Sequence, residues 1–594
     1  VGKLASYSPQ NSIATTITVQ YPQLQKAGYT GELASYEVGL QYCQRHTHPQ
    51  GWGRLHYRMG RAHYIYGKQQ TYAGSYFHKA VSEYHQALET LTFDAYPEDH
   101  LEAVRDLMKA LLGLRQRQPA KQWQQHGVAC LQELVNQRYR NQGKYGVAQL
   151  QLKFMNFKLW SVDFWLQEGE WGQAWQSAEL NKNQKLAWLL HPETHDLTRS
   201  YSEIVPNLGE DTALVAWHDS GNLLATFILQ PGATVPQVLG QELSGDALWD
   251  SLQQQHQQFQ TWLREWNRDY QDYGKKAGKT GNLDHSWRQN MASRLQQLYQ
   301  ILRIDDIVAQ LQVSRLLLVP HRDLHRLPLH DLFPETFTIA YLPSAEFYHQ
   351  HSPETTTATH SLLSIEHPNN DLETAQVESH LITQLFSKTT RLASHTATAN
   401  NIQTALPQPH NCLHFTGHAQ HNLHHPQKSS LALAGEDQLT VADLQNFDLS
   451  HYFLVSLSAC ETGMTGSLDI ETEYVGLASA FLDRGVSRVV STLWYVPSEA
   501  SSWIAVWFYR YLQKGQPPAT ALQKATHKIR YLTEAQQEGY YRWLQKRISQ
   551  SDGLKPFVDS KLHHLEQRDA SQKRQHRPFQ HPYYWAAFTI SGGF

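Results

Sequence analysis

From about Tyr36 to Leu190 the apolar residues recur in steps of three and four. One run is Leu55, Met59, Ala62 and Tyr66, and the next is Tyr76, Ala80, Tyr84, Ala87, Leu88 and Leu91. Leu101, Val104, Leu107, Met108 and Leu111 follow, then Trp123, Val128, Leu131 and Leu134. This spacing puts each set on one face of a helix. Gly67, Gly113, Pro119, Gly143 and Gly169 punctuate the runs, so the segment is predicted to form stacked helical hairpins. Gly60, Ala62, Ala80, Ala87, Ala174 and Ala178 sit where neighbouring helices would approach closely, and Pro97 follows a predicted helix end.

The pattern changes after Pro192. Ala213–Trp217 and Leu223–Leu229 flank Asp219-Ser220-Gly221-Asn222 and predict two strands around a turn. Residues 244–312 return to helical spacing, with the glycine- and lysine-rich stretch Asp272–Asn282 expected as a mobile loop. Short apolar runs then alternate with helical patterns. Leu316–Pro320, Leu362–Ile365, Cys412–Thr416, Tyr452–Leu457 and Val489–Leu493 read as buried strands. Glu373–Phe386, Val475–Leu482 and Glu499–Gln513 read as helices between them. Such alternation predicts an α/β domain with a mainly parallel sheet. The expected organisation is therefore an all-α helical-repeat solenoid over 1–192 and an α/β region over 205–594. Within the latter, 205–312 is a hairpin and helical lead-in, 313–594 the core, and 534–580 a polar insertion before the last strand.

The helical run resembles tetratricopeptide repeats in its small residues, aromatics and proline, although the spacing from Gly60 to Ala87 is too long for that repeat. A generic helical solenoid is the other reading. Either one stacks into an extended surface suited to holding another polypeptide.

Composition narrows the function. Lys+Arg 51 against Asp+Glu 54 leaves a formal charge of −3, which disfavours a globally basic nucleic-acid binder. Four cysteines (Cys43, Cys130, Cys412, Cys460) in 594 residues rule out a disulfide scaffold and point to a reducing, cytoplasmic setting. No window approaches the ~18–20 uncharged apolar residues of a transmembrane helix, so no membrane association is expected. Val1 in place of Met, with no signal-type apolar run after it, reads as a trimmed start.

In open α/β sheets function gathers at the carboxyl ends of strands. Two predicted strands end in reactive residues, His414-Phe415-Thr416-Gly417-His418-Ala419 and Leu457-Ser458-Ala459-Cys460-Glu461-Thr462-Gly463. If these strands are neighbours, His418 and Cys460 lie together at the sheet rim, as a cysteine nucleophile and its imidazole require. Gly417 and Gly463 are expected to allow tight turns whose amides form an oxyanion hole. The alternative is a packed thiol at the end of an apolar strand.

The stretch 457–463 resembles the nucleophile motif of the CHAT family, the caspase-like domains associated with tetratricopeptide repeats. Leu317–Leu329, His414–His418, Glu473–Leu482, Val490–Trp494 and His581–Phe588 resemble further blocks of that family in the same order. The resemblance covers roughly 205–594 and is closest to the cyanobacterial HetF-type proteases. It implies a clan CD, caspase-like cysteine endopeptidase with a Cys460–His418 dyad and an oxyanion hole from the amides of Cys460 and Ala419. It also implies no metal and no cofactor, with a protein substrate recruited through the repeats. Ala419 departs from the glycine usual after the catalytic histidine, so the hole survives only if φ is negative there. Two rivals stand beside this reading. One is a non-catalytic repeat-based adaptor, and the other is a protease subunit switched on by a nucleic-acid-guided complex.

His414, His418, His421, His424 and His425 crowd one stretch, but their spacing matches no standard zinc template. His414, inside its strand, is expected to be a core histidine. The segment Glu461–Glu499 carries six acids against Arg484 and Arg488. It reads either as a solvated loop or as a pocket for a cationic side chain. On the second reading Asp469 or Glu499 meets an arginine at the cut, and Trp494 walls the cleft.

Overall fold

The computed structural model describes residues 28–190, 208–280, 285–348, 361–369, 373–420, 422, 426–461, 476–548 and 554–594. The chain forms two compact units that part between Phe164 and Trp165.

The first unit is helical. Helices Gly28–Tyr42, Pro49–Gly67, Gly74–Leu88, Pro97–Gly113 and Arg117–Lys153 each pack on the next in the chain. Leu55, Met59, Ala62, Ala80, Tyr84, Ala87, Leu101, Val104 and Leu107 are buried, as the spacing requires. Gly60 has a steric reason, because a Cβ there would stand 2.8 Å from the Tyr84 ring and 3.2 Å from the Ala80 carbonyl. Two of the residues singled out in the sequence have plain local roles. Pro97 opens its helix, where the fixed φ and missing N–H cost nothing. Gly143 lies inside the helix Arg117–Lys153, since one glycine at roughly 1 kcal/mol does not break so long an element.

The composition changes at Pro192, yet the helix Trp171–Leu190 belongs to the second unit. Its Trp175 ring meets Phe227 edge-on at 5.6 Å, and Glu179 accepts the Ala345 N–H at 2.7 Å.

The second unit is built on one mixed sheet. Its strands are β1 (Thr212–Asp219), β2 (Leu224–Leu229), β3 (Gln237–Val238), β4 (Arg315–Val319), β5 (Thr338–Tyr341), β6 (Ser361–Glu366) and β7 (Lys388–Ala393). They continue with β8 (Cys412–Gln420), β9 (Ser430–Ala432), β10 (Gln438–Thr440), β11 (Leu454–Glu461), β12 (Arg488–Thr492) and β13 (Phe588–Gly592). The order is β10-β9-β8-β11-β12-β13-β5-β4-β1-β2-β3, with β6 and β7 joined through the first half of β8. Pairs β7–β6–β8–β11–β12 and β13–β5–β4–β1 are parallel. The β1–β2–β3 and β8–β9–β10 flanks and the β12–β13 seam are antiparallel. All five strands expected in the core are present.

Helices Glu373–Thr383 and Ser498–Gln513 pack on each other over β6 and β11, and Pro518–Arg530 covers β5 and β13. The 534–580 insertion is helical, with Glu534–Gln545, Lys555–Glu566 and Ala570–Gln575 packed together. The expected loop at Asp272–Asn282 is replaced through Thr280 by the helix Gly245–Thr280. Lysines and Ala277 are good helix formers, and they outweigh the intervening glycines.

Candidate active site

The site grows from two buried parallel strands. Cys412–Phe415 and Leu454–Leu457 are continuous apolar or satisfied runs, as a strand covered on both faces demands. Their register sets His414 against Ser456, Thr416 against Ser458, and His418 against Cys460. The His418 and Cys460 positions are thus direct neighbours across one ladder rung at the carboxyl ends of β8 and β11. By strand alternation His418 shares the face of His414 and Thr416.

That face is braced by a buried polar network. His414 is fully buried, its Nε2 lying 3.0 Å from Glu378 Oε1 and 2.9 Å from Thr416 Oγ1. Tyr509 Oη stands 3.4 Å from the other ring nitrogen. Ser458 and Ser501 hydroxyls meet at 3.2 Å, and Thr492 donates to the Ala459 carbonyl at 3.0 Å. The network fixes the strands beneath the two rim positions, two residues short of His418. Glu378 was invisible to motif reading. The signal for it is chemical, because a histidine inside an apolar strand must find a partner.

Gly417 does not make a turn. It lies within β8, and a Cβ there would come to 2.9 Å from the Phe415 ring and 3.1 Å from Pro368 Cδ. Close packing, rather than a turn conformation, demands the glycine. The packing partner belongs to a strained corner, for His367 has φ +27° and gives its N–H to the Thr416 carbonyl at 2.7 Å. Ala419 is buried in the last rungs of β8, beside Glu461 on one side and Leu431 on the other. It is absent from the residues of positive φ, so the conformational condition set by the alanine is met.

Glu499 is not a free pocket carboxylate. It accepts from Gln537 at 2.7 Å and Tyr541 at 2.6 Å, and it pairs with Lys561 at 2.7 Å. The insertion neutralises it. Trp494 walls no cleft either, being 2% exposed, with its Nε1 donating to the Tyr583 carbonyl and its ring edge-on to Trp287. A tryptophan just past a central strand is buried by the elements that cross it. Asp469, Gly463, His421, His424 and His425 lie outside the described residues.

Two cavities lie in the second unit. One of about 60 Å³ adjoins the rim and is lined by Ala419, Leu457, Ala459, Ser479, Ser491 and His325 among others, with no carboxylate in its described wall. A larger one, about 810 Å³, includes His330, Asp331, Arg530 and Trp585 but neither His418 nor Cys460. Catalytic chemistry follows the dyad positions, so size does not make the larger cavity the site. Burial pushes the Asp331 carboxyl up to about 7, with Glu335 adding to the rise and Arg530 opposing it. No helix among the described residues is long and apolar enough to cross a membrane.

The CHAT domain family matches residues 292–593. No curated protein matches the sequence. Among solved structures the chain is similar to the RgpB pro- and mature domains of Porphyromonas gingivalis, at 12% identity, covering 55% of this chain and 76% of that one, with a TM-score of 0.31. It is also similar to the Saccharomyces cerevisiae separase–securin complex, at 11% identity and a TM-score of 0.40, covering 100% of this chain and 51% of that one. The chain thus spans about half the length of the latter.

Proposed function

The chain belongs to the CHAT-domain family, and from that premise we propose that it is a caspase-like cysteine endopeptidase with Cys460 as nucleophile and His418 as its acid–base partner. The observation that carries the reading is the rung shared by Cys460 and His418 at the carboxyl ends of two parallel strands. The Cys460 thiolate attacks the scissile carbonyl carbon, and the resulting oxyanion is held by the amides of Cys460 and Ala419. The C–N bond breaks as His418 passes a proton to the leaving amine. Water then hydrolyses the thioester and restores the thiol.

The protein is of the HetF type, its helical pairs are tetratricopeptide-like, and they recruit the protein substrate. Cleavage follows a basic residue, arginine before lysine, because a planar guanidinium pairs bidentately with a carboxylate. Asp469 is the carboxylate assigned to this role.

A positional peptide-library digest with wild type, Cys460→Ala, His418→Ala and Asp469→Asn tests the proposal. Either dyad variant should lose at least about 10³-fold in kcat with unchanged circular dichroism. Asp469→Asn should depress turnover of arginine substrates selectively. Residual activity within tenfold of wild type in a dyad variant sinks the assignment. Absence of any cleavage by the wild type under reducing conditions favours the adaptor.

A further inference from the structure

The N-terminal unit holds a side-chain cluster that the protease reading does not use. His100 stands in the first turn of the helix Pro97–Gly113, while His126 and Cys130 are one turn apart on Arg117–Lys153. Their ligand atoms all lie within 4.8 Å of one another. His100 Nε2 is 2.8 Å from His126 Nε2, which is 3.5 Å from Cys130 Sγ. His100 and Cys130 are buried and His126 is exposed.

We propose that His100, His126 and Cys130 form a zinc site, closed by a water on the exposed His126 side. Three features of the geometry carry it. An i, i+4 pair on one helix face plus one ligand from the neighbouring helix is a recurrent way to present three donors to one ion. His100 Nδ1 contacts the Leu91 carbonyl at 2.8 Å. That contact makes Nδ1 the ring donor and turns the Nε2 lone pair into the cluster, as an outer-shell carbonyl does for metal-bound histidines. Finally, bonds of ~2.0–2.1 Å to nitrogen and ~2.3 Å to sulfur imply tetrahedral separations of about 3.6 Å for N···S and about 3.3 Å for N···N. The His126–Cys130 distance already fits, and the two imidazoles need part by only about half an ångström.

The protons balance simply. In the metal-free state His126 Nε2–H must donate to His100, because the His100 Nε2 carries a lone pair. On binding, His126 moves its ring proton to Nδ1 and Nε2 takes the ion. The Cys130 S–H bond breaks, its electron pair becomes the S–Zn bond, and one proton leaves to solvent. Two nitrogens with one thiolate suit zinc. The bound ion clips the two helices together.

The experiment is a cobalt(II) titration of the full-length chain, with zinc as competitor. Cobalt should give thiolate charge-transfer absorption and the intense visible bands of a tetrahedral site, and zinc should abolish both. Both should persist in Cys43→Ser and Cys460→Ala and vanish in Cys130→Ser. His126→Gln, at an exposed position where folding is not at risk, should weaken zinc at least about 100-fold, more than loss of an outer-shell partner does. Absence of the thiolate band in wild type, or its survival in Cys130→Ser, overturns the site and leaves a hydrogen-bonded cluster. Unchanged zinc affinity in His126→Gln overturns it equally, whatever Cys130→Ser does to folding.

Discussion

Glu499 Oε2 lies 2.7 Å from Lys561 Nζ, while Tyr541 and Gln537 donate to its other oxygen. An acid at the first turn of the helix behind the proposed nucleophile strand is thereby committed to the 534–580 insertion. It fastens that insertion to the α/β core and has no charge left to offer a substrate.

Glu499→Gln should leave the ratio of arginine to neutral-substrate turnover within twofold of wild type. It should lower stability by about 1–2 kcal/mol, because a partly buried ammonium and phenol lose an ionised partner. Paired library digests and thermal unfolding measure the two effects. A collapse of the arginine preference alone would return Glu499 to the substrate pocket.

Gly417→Ala should destabilise by about 1–3 kcal/mol through overpacking against Phe415 and Pro368. It should also lower kcat, since His418 is the next residue on the strand. Phe415→Leu in the same chain should restore much of the kcat by making room. An alanine variant that unfolds and turns over like wild type would show that the corner yields without cost.

Asp219 is fully buried at the β1–β2 turn. Burial opposes its charge, but His256, Arg322 and the Gly221 N–H together hold the carboxyl well below the usual range. The folded state therefore binds fewer protons at this site than the unfolded chain. Its contribution is present above about pH 4 and is lost as pH falls from there. Asp219→Asn should cost about 3–5 kcal/mol at pH 7, leaving Arg322 underpaired, and should flatten the acid limb of stability. Urea unfolding from pH 2 to 8 reads both.

Asp331 carries the opposite sign. Its raised folded value means that the folded state holds a proton that the unfolded chain has released, so stability declines as pH rises from about 4 through about 7. Asp331→Asn should raise Tm at pH 8 by a few degrees and leave it unchanged at pH 4. An equal shift at both pH values would point to packing instead of titration.

Removal of residues 1–164 should spare small-peptide turnover and slow cleavage of a protein substrate, because recruitment raises local concentration without touching the dyad. Removal of residues 1–190 should damage both, since Glu179 and Trp175 leave their partners Ala345 and Phe227. Steady-state kinetics on a peptide and on a folded substrate separate the two cases.

The apolar strands were legible because burial on both faces writes continuous Leu, Val and Ile runs. β7 was not, since Lys388, Thr389, Thr390 and Arg391 sit at a sheet edge and are partly exposed. The pairing of His418 with Cys460 was conditional on adjacency, which periodicity does not report. Glu499 was misjudged for a related reason. Counting charge along one segment misses Lys561, which the fold brings from another. Gly417 was read as a turn residue because glycine has two uses, and only the position of Phe415 and Pro368 tells which applies.

The placing of β13 has a consequence for how the molecule is made. Residues 588–592 lie between β12 and β5, in the middle of the sheet, although every other described strand precedes them in the chain. Until they emerge, the nascent protein carries two half-sheets, each with a raw edge at β12 or β5. Such edges invite pairing with other chains, and closing the gap means making contacts between residues far apart in sequence, Val490 with Ile590 on one side and Tyr341 with Ser591 on the other, which is slow. The rung that joins Cys460 to His418 can form earlier, within one half. The wall beyond β12, to which β13 gives Thr589 and Ser591, cannot, so biogenesis delivers the rung first and the finished cleft last.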